Sequence, residues 1–363
     1  MAGEASPQAP ESHALLGSIW PELSVDELSI EKHYSQFLEY FDHEMTTIND
    51  NIDLFAIRSG NDICALIQEM SRLGVITRRQ AVDIARQKVP GQQAPEDKLL
   101  RSIDIAVRLW LTVDINSSDF RCHDLLSWGS GQTLQDLVHS HFKDMKKTER
   151  KCLQTENRID PHLTADFLSS NYGYVVSWTH NLADHLAIDW KYKVITIYEH
   201  KICLYNHLRF SRSSIVPQDV IEEAIDTLNL LFPFQDDTTK RFLLKRKKQF
   251  YGLGYCNRPR KLELEEYQYW RHRIADLGYI LQGPAVGLQQ LRLDKDGRNL
   301  LQFATFWIAA AIGILTVVSI AVSVAAIVYG VKQYELALKQ YELSVAEACL
   351  DPIARVQLAE FCS

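Results

Sequence analysis

The short stretch "HNLADH" supplies His180, Asp184 and His185, and Glu199 and His200 follow it after one apolar run. Two imidazoles and a carboxylate can hold a non-haem iron or a zinc ion, because such sites take neutral nitrogen donors, one anionic oxygen and leave positions open. The spacing, however, matches no metal-binding motif. His180 and Asp184 share a face only if the segment is helical, and His185 then lies about 100° from Asp184. The competing reading is a polar connection whose histidines hydrogen-bond to local partners. On that reading the chain needs no metal and no cofactor. Glu199 and His200 fall at the far end of an expected hairpin.

Other catalytic signatures are missing from the sequence. It has no G-x-S-x-G elbow, no H-E-x-x-H, and no G-x-G-x-x-G between a strand and a helix. "WGSGQT" has glycines without the lysine of a phosphate loop. An enzyme would therefore rest on unplaced histidines, and a binding module is the preferred expectation. A basic patch at Lys240, Arg241, Lys245, Arg246, Lys247 and Lys248 is interleaved with Phe242, Leu243 and Leu244. As a helix it carries cations around most of its circumference. Facing anionic lipid, each would contribute about 1 kcal/mol, while Asp236, Asp237, Glu263, Glu265 and Glu266 flank the run and can neutralise it.

The elements that must position these residues read mainly as helices. "SIEKHYSQFLEYFDHEM" brings Tyr34, Phe37, Leu38 and Phe41 to one face, and residues 61–89 read as an αα-hairpin. Asn61 is its expected N-cap, Gly74 its C′ residue, and Thr77 with Gln80 a capping box. Two helices about a turn also fit a DNA-reading pair with Arg78, Arg79, Arg86 and Lys88 on phosphates, but an acidic chain favours ordinary helix packing. Leu99, Ile103, Ala106, Val107 and Trp110 form a further stripe, and Tyr267, Trp270, Ile274, Leu277 and Leu281 a packing seam. The pattern changes near residues 173–198, where Val175, Val176, Trp178 and the run from Val194 to Tyr198 have strong β propensity. The expectation there is a small antiparallel hairpin or sheet.

The chain has 363 residues, 46% of them hydrophobic, enough for a sizeable core. Lys and Arg total 39 against 46 Asp and Glu, a net charge of −7, so nothing global attracts nucleic acid, and none is expected as a partner. Seven scattered cysteines without a CxxC pair argue against a disulfide scaffold and a zinc module. The N-terminus lacks the basic start and apolar core of a signal peptide, and Pro7, Pro10 and small residues suggest a disordered leader over 1–28.

No charged residue stands between Arg298 and Lys332, and "FATFWIAAAIGILTVVSIAVSVAAIVYG", residues 303–330, is long enough to cross a bilayer core of about 20 helical residues. Trp307 and Tyr329 are 22 residues apart, roughly 33 Å along a helix, so they fit two membrane interfaces. Arg292, Lys295 and Arg298 before the span, against Lys332 and Lys339 after it, lean toward a cytosolic N-terminal side. The Asn116 sequon would then stay unglycosylated. After the span, the stretch around "KQYELALKQYEL" aligns Val331, Tyr334, Leu338, Tyr341, Val345 and Ala348, either as a weak self-association seam or as an amphipathic extension with Tyr334 and Tyr341 at headgroup depth. Cys349 and Cys362 can pair if this tail meets an oxidising lumen.

In order, "SIDIAVRLWL", "VSWTHNLADHL", "TLNLLFPFQDDTTKRFLLK", "YQYWRHRIADL" and "DGRNLLQFATFWIAAAIGILTVVSIAVS" occur along residues 60–350. This order resembles a large family of fungal proteins with a helical soluble region and a C-terminal membrane helix. The resemblance implies that architecture and no reaction. The layout also resembles CorA-like magnesium channels, but those carry two spans and a Gly-Met-Asn triplet, and this chain has neither.

The expectation is thus a mainly α protein with a small β element. A disordered leader (1–28) precedes a helical soluble domain (29–290), a juxtamembrane linker (291–302), a transmembrane helix (303–330) and an amphipathic tail (331–363). It would sit in a membrane, partnered by the lipid bilayer, by an unidentified protein and weakly by itself through span and tail. A metal-dependent enzyme using His180, Asp184 and His185, or an accessory subunit of a transport assembly, are the alternatives.

Overall fold

The structure, a computed structural model, describes residues 9–23, 33–88, 94–115, 126–147, 157–210, 214–283, 300–350, 352–353 and 360. Asn116, Cys122, Cys152, Cys362 and the expected linker over 291–299 lie outside the described residues. The chain forms two compact units, Met1–Val286 and Gly287–Ser363. Helices dominate the first, and one long apolar helix forms the second.

The first unit opens with α1 (Ala9–Ile19). Leu15, Leu16, Ile19 and Trp20 are buried, so part of the segment expected as a disordered leader is structural. These four recur at i, i+1, i+4 and i+5 and form one apolar face. α2 (Ser35–Asp50) buries Phe37, Tyr40, Phe41 and Ile48. Then α3 (Gly60–Leu73), α4 (Arg78–Lys88) and α5 (Glu96–Leu111) pack pairwise, with α1 against α3. The cap of α3 is Ser59, in a reciprocal box with Asp62, two residues before the expected Asn61. Gly74 ends α3 at φ 69°, a conformation glycine adopts freely. Thr77 and Gln80 make the expected reciprocal contacts before α4. Three of the α4 cations have partners: Arg78 donates to the Trp128 carbonyl and pairs with Asp104, Arg86 pairs with Asp83 and Glu96, and Lys88 pairs with Glu69.

α6 (Leu134–Lys147) and α7 (Ala165–Tyr172) lead to a three-stranded sheet of β1 (Val175–Thr179), β2 (Ile188–Asp189) and β3 (Val194–Tyr198), in the order β1-β3-β2. Its pairing corrects the antiparallel expectation. β3 is central, antiparallel to the two residues of β2 but parallel to β1. α8 (Lys201–Arg209) packs against α9 (Gln218–Leu231), followed by α10 (Asp237–Lys245) and α11 (Arg271–Gln282). The seam of Tyr267, Trp270, Ile274, Leu277 and Leu281 is buried as its spacing implies.

The second unit is α12 (Leu300–Ala348), a continuous helix of 49 residues, roughly 74 Å long. It joins the span expected over 303–330 to the tail without a break. Its apolar side chains are exposed along the length, including Ile314, Val317, Ile320 and Ile327. Among the described residues it is the one helix long and apolar enough to cross a membrane.

Candidate functional site

Strand register assembles the site. Val175 stands opposite Val194, and Thr179 opposite Tyr198. Because these strands run parallel, their carboxyl ends finish at the same edge. His180 follows β1 there, and Glu199 with His200 follows β3. The antiparallel hairpin expected from the sequence would have held them at opposite ends.

Local bonds fix the approach to His180. Thr112, at φ 51° after α5, accepts the Leu182 N–H through its carbonyl at 2.8 Å. Its hydroxyl lies 2.7 Å from the Tyr198 hydroxyl, tying the end of α5 to the end of β3. Asn181 is buried, and its Oδ1 accepts the N–H groups of Asp114 and Ala183, each at 3.1 Å. The following residues Leu182–Asp184 make a single 3-10 turn rather than an α-helix.

Three potential ligand atoms then lie within 4.8 Å of one another. His180 Nδ1 is 2.7 Å from His200 Nε2 and 3.0 Å from Glu199 Oε1. The Lys248 ammonium donates to the other oxygen, Glu199 Oε2. Tyr40 from α2 lies flat on the His180 ring, with centroids 4.0 Å apart and planes 8° from parallel. Phe37 meets His200 edge-on. Glu199 and His200 are buried, whereas the His180 side chain is 40% exposed, so the cluster opens to solvent on that side.

Burial drives His180 down to about 4, and the Lys248 charge adds to the effect. Burial, then His180 and Lys248, push His200 well below the usual histidine value. Both imidazoles are therefore neutral at neutral pH. Burial raises the Glu199 carboxyl, opposed by its bond to Lys248.

Asp184 and His185 do not join this cluster. His185 Nδ1 accepts the Tyr198 N–H at 3.1 Å, so Nε2 carries the proton and donates to Thr227 Oγ1 at 2.7 Å. The Thr227 hydroxyl in turn donates a hydrogen bond to the Ala224 carbonyl at 2.7 Å. Neither nitrogen of His185 has a lone pair left for a metal. Asp184 Oδ2 accepts the Asn181 amide at 3.0 Å. Sequence reading named His180 as a candidate and noted Glu199 and His200 without joining them to it. The available signal was the 14-residue connection 180–193, long enough for a parallel crossover of a dozen or more residues.

The basic run is not one helical face. α10 ends at Lys245, Lys247 takes φ 56°, and Lys248 turns inward to Glu199 and over the Trp178 ring. Arg246 lies over Phe242, leaving Lys240, Arg241, Lys245 and Lys247 exposed. On α12, Trp307, Tyr329, Tyr334 and Tyr341 are all exposed. Comparison of the chain with family profiles, with curated proteins and with solved structures finds no match.

Proposed function

We propose that this chain is a single-pass membrane protein whose helical domain works as a binding module at a bilayer surface. The observation that carries the reading is α12, which holds the uncharged stretch 303–330 in one unbroken helix with its apolar side chains exposed. Such a helix satisfies its own backbone polar groups, the condition for lying in hydrocarbon. The aromatic spacing of Trp307 and Tyr329 fits the two interfaces. Beyond the span Cys349 is disulfide-bonded, while Cys203 and Cys256 in the helical domain are thiols. That distribution supports a reducing side for the domain and an oxidising side for the tail. The order of phrases shared with the fungal family is consistent with this architecture.

A second feature supports surface work by the domain. The turn between β2 and β3 exposes Trp190 and Tyr192 with Lys191 and Lys193 between and after them. Asp189 Oδ1 holds this tip by accepting the N–H groups of Lys191 and Tyr192 at 2.9 and 3.0 Å. Amphipathic rings beside ammonium groups suit the headgroup layer of an anionic bilayer, where each cation contributes about 1 kcal/mol.

The test places a photoreactive benzoylphenylalanine at position 192 of the full chain, reconstituted in phosphatidylcholine vesicles with and without phosphatidylserine. Lipid adducts that increase with phosphatidylserine are expected. No adduct at 192, with efficient labelling from position 317 in α12, would contradict surface docking by the tip.

A further inference from the structure

The contacts among His180, His200 and Glu199 leave at most one imidazole proton for two short contacts at His180 Nδ1. Glu199 Oε1 is an acceptor, so its 3.0 Å contact requires the proton on His180 Nδ1. That proton is then shared with His200 Nε2 at 2.7 Å. If His200 Nε2 carries the proton instead, the His180 lone pair faces the carboxylate. With His180 Nδ1 as donor one proton serves two acceptors, and with His200 Nε2 as donor the Glu199 Oε1 contact carries no proton at all. The buried His200 Nδ1 has no hydrogen-bond partner, and it is orphaned under both assignments.

We propose that His180 Nδ1, Glu199 Oε1 and His200 Nε2 form a binding site for one divalent transition-metal ion of the zinc class. A cation accepts all three electron pairs at once and removes the conflict. Two neutral imidazoles and one carboxylate form a donor set that zinc and its neighbours take. Metal–ligand bonds of about 2.0–2.2 Å at tetrahedral angles put adjacent donors roughly 3.3–3.6 Å apart, so the observed 2.7 and 3.0 Å must open by several tenths of an ångström through rotation of the side chains. Three protein ligands leave at least one position for water, on the exposed His180 side.

The surrounding residues hold the ligands in place. Tyr40 fixes the plane of His180, and Lys248 fixes Glu199 through Oε2, leaving Oε1 for the ion. Lys248 also opposes a second cation on the same carboxylate. Glu39 and Asp114 offset part of that charge, since both act on His180 electrostatically. The site belongs to the helical domain alone and does not depend on the membrane reading.

The experiment uses the full chain in detergent, stripped with a chelator and titrated with Zn2+, and separately with Co2+ followed by its visible absorption. One equivalent is expected. His180→Ala and Glu199→Gln should each weaken binding by about tenfold or more, while Lys248→Met tightens it. His180 is half-exposed, so His180→Ala should keep the native circular dichroism, and that spectrum is recorded for each variant. Wild-type protein that is folded and binds neither ion overturns the proposal. So does unchanged binding in a folded His180→Ala/Glu199→Gln double variant.

Discussion

His180 Nδ1 and His200 Nε2 lie 2.7 Å apart although 20 positions separate them in sequence. The contact exists because β1 and β3 are parallel and finish together, with Thr179 opposite Tyr198. Glu199, directly before His200 in the chain, brings a buried carboxylate to the same point and is itself held by Lys248. A chemically capable cluster thus follows from strand direction, and the histidine nearest to His180 in sequence takes no part in it.

His185 is expected to act in stability alone. Its ring is fully buried, and it bridges the Tyr198 N–H to Thr227. His185→Ala removes a core ring and strands a buried donor, at a cost of about 2–4 kcal/mol. Thermal unfolding of the full chain in detergent reads this directly, while Zn2+ affinity of the folded variant stays at the wild-type level. A His185→Ala protein with unchanged unfolding temperature would show that the bridge is not structural.

Acid should destabilise the domain through its buried imidazoles. Burial takes His185 down to about 3, with the Arg273 charge adding to it, and His207 down to about 4. His185 is surrounded by Thr227 from α9, Trp270 and Arg273 at the start of α11, and the end of β3. His207 sits edge-on to Trp20. Both folded values lie below the ordinary 6.5. The unfolded chain therefore binds protons that the folded chain refuses, and stability is full above about pH 6.5 and falls as pH drops toward 4, by up to about 1.4 kcal/mol per pH unit for each group. Glu44 and Glu223, raised by burial, titrate with the opposite sign. The comparison is therefore with His207→Met, whose stability should depend less steeply on pH across that window; equal slopes would refute the assignment.

Glu223 should be needed to start α11. Its Oε1 accepts the N–H groups of Tyr269 and Trp270, and its Oε2 that of Gln268, all at 2.7 Å. Trp270 is the N-cap of α11 and Gln268 and Tyr269 lead into it, so the carboxylate holds the entry to the helix and also meets the positive end of its dipole. Glu223→Ala is expected to cost about 3 kcal/mol or more, and Glu223→Gln less, since one oxygen remains. Hydrogen exchange across 268–282 should speed up in Glu223→Ala. Wild-type protection there would mean that the cap is dispensable.

Much of the helical layout was legible because its signals are local. Gly74, the Thr77–Gln80 pair and the Tyr267-to-Leu281 seam stand where spacing put them. The N-terminal helix was missed because prolines and small residues masked the short face of Leu15, Leu16, Ile19 and Trp20. Strand direction was missed for a different reason, since β propensity reports extended backbone and says nothing about which neighbour is parallel. Lys248 was hidden in a charge run, and only the positive φ of Lys247 after α10 turns it inward. The site therefore depended on long-range facts, register and a chain reversal, that no local pattern encodes.

The membrane anchor is tested most directly by alkaline carbonate extraction of membranes carrying the full chain, followed by flotation. The protein should remain with the floated membranes, and a chain lacking 303–330 should be released. Release of the intact chain into the carbonate supernatant would contradict a spanning α12.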